Sequence, residues 1–248
     1  MLATWLRMPG CGGQCPLCAP KLLVTTSSVA ASTLRMTYRY SQRRQTRIEN
    51  CMTETTPPGS LNADALPEDA SYLTATARWV ERAVIGLNLC PFARAPYAQG
   101  KLRMRVSHAR DTDALLDDLC GELQSLNALA ADECETGLLI HPFVLTDFLD
   151  YNDFLDVADA AVQTLQLDGV WQVASFHPDY QLADSEPDAI ENFSNRSPYP
   201  TLHLLREASV ERAMNSMPDT DSIYRHNIET LRRLGPEGWR KLWVDAPD

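Results

Sequence analysis

Three runs of strand-forming residues in this chain stop at a histidine: His108, His141 and His177. Two of these histidines are followed by proline, as His141-Pro142 and His177-Pro178. An imidazole titrates close to neutral pH, so it can take up or release a proton at little cost. In equivalent places at strand ends, His141 and His177 would share a ligand or pass a proton if their strands are neighbours, about 4.8 Å apart. Otherwise the prolines simply stop the strands and the histidines cap loops, as His108 is taken to do. Downstream lies Asn195-Arg196-Ser197-Pro198. A planar guanidinium beside amide and hydroxyl donors suits a carboxylate or phosphate. The competing role for Arg196 is an ion pair with the acids around it, Asp179, Asp184, Glu186, Asp188 and Glu191. Tyr180 adds a ring and a hydroxyl to the same region. His203 alternates with Leu202 and Leu204, which predicts a strand-surface histidine. Cys90 precedes Pro91 at the end of a helical stretch. At a helix C-terminus its thiol would be quenched; if a new helix starts at Pro91 it would be activated. It is not half of a Cys-x-x-Cys pair, because position 93 is Ala93.

Most of these residues lie in or beside one long segment, from Asp179 to Pro200, with no helical or strand period. A structureless excursion of more than about 15 residues inside a compact domain is usually a functional loop or disorder. Its aromatic residues and prolines predict an ordered loop. The elements that must hold it follow from periodicity. A helix from Ser71 or Thr74 carries the stripe Leu73, Ala77, Val80, Val84 and Leu87. Leu102, Met104 and Val106 alternate with Arg103, Arg105 and Ser107, a strand with one wet face. Asp111, Thr112 and Asp113 can cap a helix bearing Leu115, Leu119, Leu123 and Leu126. Thr136 to Ile140 reads as a strand buried on both faces. Asp147, Asp150 and Asp153 gather at the start of a helix buried through Tyr151, Phe154, Ala158, Ala161 and Leu165. Their spacing lacks the glycine of a calcium loop. Val170 to Phe176 forms the next strand and Thr201 to Arg206 another. A short helix from Ser209 and one from Ser222 to Leu234 close the order, with a stop at Gly235-Pro236.

The predicted fold is an α/β sandwich with a mostly parallel sheet of about four strands plus an antiparallel edge strand. Thioredoxin-like and ferredoxin-like topologies fit equally. In such sheets ligands sit beyond the carboxyl ends of the strands.

The chain has 248 residues and a net charge of −11. Charge is uneven: residues 1–51 hold seven Lys and Arg against one acid, a net of +6, which leaves −17 on the rest. Residues 1–51 therefore read as a basic, disordered arm, either a start placed too early, with Met52 as the true one, or an organelle transit segment. Residues 52–70 read as a linker and 71–248 as a single domain. The acidic balance opposes a nucleic-acid partner, and no apolar run reaches the ~20 residues of a membrane span. Cytoplasmic location follows, or an organelle if the arm is genuine. Seven cysteines without a signal peptide oppose a disulfide framework; Cys120 and Cys134 read as buried. Cys11, Cys15 and Cys18 have the C-x3-C-x2-C spacing of an iron–sulfur thiolate triad, but no strand precedes them. A zinc site at the strand-end histidines lacks a carboxylate or cysteine partner, so no cofactor is assigned.

The motifs Gly86-Leu87-Asn88-Leu89-Cys90-Pro91-Phe92-Ala93, Phe148 to Leu155, Gln172 to Tyr180 and Asn195 to Glu207 resemble the family called domain of unknown function 1415. The resemblance covers about Ser71 to Trp243 and leaves the basic arm outside. That family is mainly bacterial, which supports a start at Met52, and has no established activity. It implies that Cys90, His177, Asn195, Arg196 and His203 are signature positions. Three functions remain open. The first is an enzyme acting on a small anionic metabolite, with His177 as general acid or base, His141 as its partner, and Arg196 with Asn195, Ser197, Tyr180 and His203 as binding groups. The second is a thiol enzyme in which His177 serves Cys90. The third is a non-catalytic binding or assembly module.

Overall fold

The computed structural model describes residues 66–215 and 221–243. The basic arm, its three cysteines and Met52 lie outside the described residues. The chain enters through a 3-10 turn, Pro67–Asp69, and α1, Ala70–Trp79. A wide π turn, Val80–Ile85, continues α1 without a break. Then come α2 (Arg94–Ala98), β1 (Leu102–Val106), α3 (Thr112–Ala128), β2 (Thr136–Ile140), α4 (Phe148–Thr164) and β3 (Trp171–Phe176). A second 3-10 turn, Ile190–Asn195, lies inside the long loop. The order ends with β4 (Thr201–Arg206), α5 (Glu207–Asn215) and α6 (Asp221–Lys241).

Local chemistry sets most of these boundaries. Asp111 accepts the Ala114 N–H at 2.8 Å and starts α3. Asp147 accepts the N–H groups of Leu149 and Asp150 at 2.8 and 3.1 Å and starts α4. Both satisfy donors that the first helical turn leaves without partners. Gly235 takes φ 66° inside α6, so Gly235-Pro236 bends that helix rather than ending it. Around the π turn the expected stripe shifts. The buried residues are Thr76, Trp79, Val80, Ala83 and Val84, with Leu73, Ala77 and Leu87 only partly covered. A π turn adds a residue per hydrogen-bonded ring and rotates every later side chain relative to an α-helix.

The four strands form one mixed sheet in the order β1-β2-β4-β3. β1 and β2 are parallel, while β4 is antiparallel to both β2 and β3. This corrects the expected topology. β1, β2 and β3 run the same way, but the antiparallel strand fills the slot between β2 and β3 instead of an edge. Only one of the three pairings is parallel. The content of β4 explains the position: Thr201, Leu202, His203, Leu204 and Leu205 are all buried, which an edge strand would not need.

Each face of the sheet has its own core. On one face α3 and α4 bury Leu115, Leu119, Leu123, Tyr151, Phe154 and Ala158 against Leu139, Leu202 and Leu204. On the other, α1, the π turn and α6 bring Trp79, Val84, Leu89, Leu231 and Trp239 against Leu138, Ala174, Phe176 and Leu205. The predicted wet face of β1 is covered. Arg103 and Glu122 are buried, and Arg103 Nε lies 3.1 Å from Glu122 Oε1 across the α3 contact. Arg105 reaches the other Glu122 oxygen at 3.4 Å. The buried Glu122 on α3 thus draws Arg103 inward, while Arg105 stays at the rim with 37% of its side chain exposed.

Candidate functional site

His141 and His177 follow the last residues of β2 and β3, on the α3–α4 face. β4 lies between these strands, with Ile140 and Phe176 both opposite Thr201. The two histidines are therefore not on adjacent strands. They are joined by Tyr151 of α4, whose ring centroid lies 5.7 Å from that of His141 and 5.1 Å from that of His177. The Tyr151 hydroxyl donates to the Thr201 carbonyl at 2.9 Å and accepts the Phe176 N–H at 3.1 Å. A phenol is thus spliced into the end of the β3–β4 ladder. In sequence Tyr151 is only one apolar position of a helical stripe; its hydroxyl is the part that periodicity does not read.

His177 is fully buried. Its Nδ1 accepts the Asp179 N–H at 3.0 Å, and its Nε2 donates to the Leu145 carbonyl at 3.2 Å. Both ring nitrogens are engaged by backbone, which defines a neutral ring protonated on Nε2. Burial lowers its pKa, partly offset by the bond to Leu145 and the charge of Asp179. Leu145 itself has φ 55°, an uncommon conformation for a residue with a side chain, and the bond from His177 helps hold it. His141 is also fully buried. Its Nδ1 donates to the Val144 carbonyl at 3.1 Å, and its Nε2 has no protein partner. Burial pushes its pKa down to about 4.

The long loop is ordered, and its polar residues bind its own backbone. Asn192 Oδ1 accepts from Leu182 N–H and Ser185 Oγ, while Nδ2 donates to the Glu186 and Pro187 carbonyls. Asn195 Nδ2 donates to the Ser175 carbonyl at 3.4 Å, and Ser197 Oγ donates to the Tyr199 carbonyl at 2.6 Å. Arg196 Nε donates to the Tyr180 carbonyl at 3.3 Å, and Nη2 to the Pro187 carbonyl at 2.6 Å. Its guanidinium stacks on Phe193 at 4.4 Å. Burial lowers the Arg196 pKa, and Asp179 and Asp188 pull it back up. Tyr180 ties the two ends together, since its N–H donates to the His177 carbonyl at 3.1 Å. His177, Tyr180, Asn195, Arg196 and Ser197 are therefore brought together, and what they enclose is the loop's own main chain. Glu191 pairs with Arg232, and Phe193 packs on Trp239 at 5.2 Å, so the loop also docks on α6.

Cys90 and His203 lie on the other face, and with them a cavity. A cleft of about 390 Å³ opens between the sheet and the layer of the π turn, α2 and α5. Its wall is mostly apolar, with Leu89, Leu138, Phe176, Leu205 and Val210 among the lining residues. Cys90, Thr136, His203 and Ser209 are polar points in that wall, and the charged residues Glu135, Arg206 and Arg212 also line it. His203 is buried rather than on a strand surface, because α1 and the π turn cover this face. Its Nε2 meets Thr136 Oγ1 at 2.6 Å, and that hydroxyl donates to the Leu204 carbonyl at 3.0 Å. Nε2 must then carry the ring proton. Burial lowers the His203 pKa to about 3.

Cys90 sits in the turn between the π turn and α2. Burial raises its thiol to about 11, although the N–H groups of Phe92 and Ala93 act to lower it. At neutral pH it is a thiol. His177 stands on the opposite side of the sheet from Cys90, so the imidazole that shares a cavity with this cysteine is His203. Among the described residues no group of three or more His, Cys, Asp or Glu could hold a metal ion, and no helix is long and apolar enough to cross a membrane.

A family model described as protein of unknown function, DUF1415, matches residues 71–241. The chain belongs to that family. Neither the curated proteins nor the solved structures contain a match to it.

Proposed function

We propose that this DUF1415 member binds a small, mainly apolar molecule in the cleft between the sheet and the α2–α5 layer. The observation that carries the reading is the mostly apolar cavity of about 390 Å³ against one face of the sheet. Small-molecule sites are typically concave, about 300–1,000 Å³, apolar over most of their surface and marked by a few polar groups. Here those groups are Thr136, His203 and Cys90. A neutral imidazole and an un-ionised thiol add no charge to the wall, which favours an apolar body with at most one polar end. The un-ionised thiol also makes Cys90 part of the wall rather than a resting nucleophile.

The test uses the full chain, decanoate and the fluorescent probe 1-anilinonaphthalene-8-sulfonate. Saturable probe binding displaced by decanoate is expected, with slower alkylation of Cys90 when decanoate is present, read by peptide mass spectrometry. Val210→Trp, placed in the cleft wall, should abolish both effects while leaving the melting temperature near wild type. Equal probe binding by the wild type and Val210→Trp would sink the assignment, as would no protection of Cys90.

A further inference from the structure

A second group of side chains at the carboxyl end of β1 lies outside the cleft and meets the long loop only at its last residues. His108 is 39% exposed, and its Nε2 lies 2.7 Å from Oδ1 of Asp69. Asp69 is 4% exposed, and its Oδ2 accepts the Leu66 N–H at 3.0 Å. The carboxylate is therefore held from both sides. A carboxylate only accepts hydrogen bonds, so Nε2 of His108 carries a proton, and in the neutral ring Nδ1 is the acceptor. A buried acid that sets the tautomer of a more exposed imidazole is how proteins present an oriented base.

The surroundings match a ligand. Phe143 lies 5.7 Å from His108, Tyr72 lies 5.5 Å from Phe143, and Tyr199 lies 5.0 Å from Tyr72, all centroid to centroid. All three rings are partly exposed. The Arg110 guanidinium, on an exposed residue, sits 4.0 Å from the centroid of Phe143. These residues come from α1, the loops after β1 and β2, and the loop before β4. They meet beyond the carboxyl ends of the parallel pair, where open α/β sheets place their ligands.

We propose that this cluster is a binding site for a small planar aromatic acid that carries a hydrogen-bond donor, the class of hydroxyaryl and aminoaryl carboxylates. The exposed rings take the aromatic plane. Arg110 takes the carboxylate through its forked donors. In the neutral ring His108 Nδ1 accepts the hydrogen bond from the hydroxyl or amine, and Asp69 is the positioning residue that holds the proton on Nε2 and fixes that tautomer. A pair that only tethered the Pro67–Asp69 turn to β1 would bind nothing.

The site is tested by nuclear magnetic resonance of the histidine rings in the full chain, with His108 assigned through His108→Gln and exposed His226 as internal control. The free protein should show His108 as the Nε2-protonated tautomer. Millimolar 4-hydroxybenzoate should shift the His108 ring saturably and leave His226 unmoved. Benzoate, which lacks the donor, should bind about tenfold more weakly, and cyclohexanecarboxylate more weakly still. Arg110→Ala should weaken 4-hydroxybenzoate by about tenfold. Asp69→Asn should mix the tautomers and weaken 4-hydroxybenzoate but not benzoate; if it fails to fold, the ring shifts and Arg110→Ala decide alone. An unresponsive His108, or equal affinity in wild type and Arg110→Ala, would overturn the proposal.

Discussion

Leu138 and Leu139 are adjacent on β2 and point to opposite faces, and they meet different interiors. Leu139 is fully buried in the core that holds Leu123, Tyr151 and Leu202. Leu138 is nearly as inaccessible, yet it lines a cavity of about 390 Å³. On the α3–α4 side the polar groups, Tyr151, His141 and His177, are used chiefly to hold main chain. On the α1 side they stand in the wall of an opening. Burial alone therefore does not mark a functional residue; what the polar atom faces does.

The largest expected effect concerns the one respect in which the faces agree, since each buries a neutral imidazole. His141 titrates at about 4 and His203 at about 3 in the fold, against 6.5 when exposed. Below pH 6.5 the unfolded chain takes up protons that the folded chain refuses, so stability falls as pH falls. The loss stops at about pH 4 for His141 and about 3 for His203, and above pH 6.5 both contributions are fully present. At about 1.4 kcal/mol per pH unit and per group, stability should drop by roughly 6 kcal/mol between pH 7 and 4. Urea unfolding across that range measures it; a drop of about half would mean that one ring reaches solvent, and a flat profile that both do.

The faces themselves are compared by truncation. Leu139→Ala should cost about 4 kcal/mol and Leu138→Ala about 2, because Leu138 already borders empty volume and has fewer contacts to lose. Equal costs in chemical denaturation would show that the cleft closes in solution. His177→Ala should cost about 3 kcal/mol, since it leaves the Leu145 carbonyl and the Asp179 N–H without their partner. A change under about 0.5 kcal/mol would place His177 outside the structural frame and return it to a catalytic role. The smallest effect is expected at Gly86. Its N–H closes the π turn onto the Glu81 carbonyl at 2.9 Å, and an added Cβ would lie 2.4 Å from the Arg82 carbonyl oxygen. Gly86→Ala should cost about 1 kcal/mol and shift the turn that carries Leu89 and Cys90. Faster Cys90 alkylation in that variant would tie the π turn to the shape of the cleft.

Periodicity and capping located the four described strands, the helices α3 and α4, and the ordered loop, because each depends on a few neighbouring residues. Asp111 and Asp147 start their helices through bonds only two or three residues long. The placement of β4 was not legible in the same way. Strand order depends on which edges meet, and a hydrophobic run such as Leu202-His203-Leu204 fits any covered slot. The π turn was also hidden, since it differs from an α-helix by one residue per ring and leaves no composition signal. Arg103 looked solvent-facing because Glu122, its buried partner, lies 19 positions away and on another element.

The candidate site divides the same way. Local residue types were enough to put Cys90, His141, His177, Asn195 and Arg196 at turns and strand ends and His203 within a strand, since near neighbours decide where strands start and stop. Only the tertiary structure decided that His177 and Arg196 face main chain, that Cys90 and His203 share a cleft, and that Asp69 reaches His108 across 39 positions. Where a strand ends is settled by bonds between near neighbours. What a side chain meets there depends on how distant elements pack, and many sequence-remote choices satisfy the same local pattern.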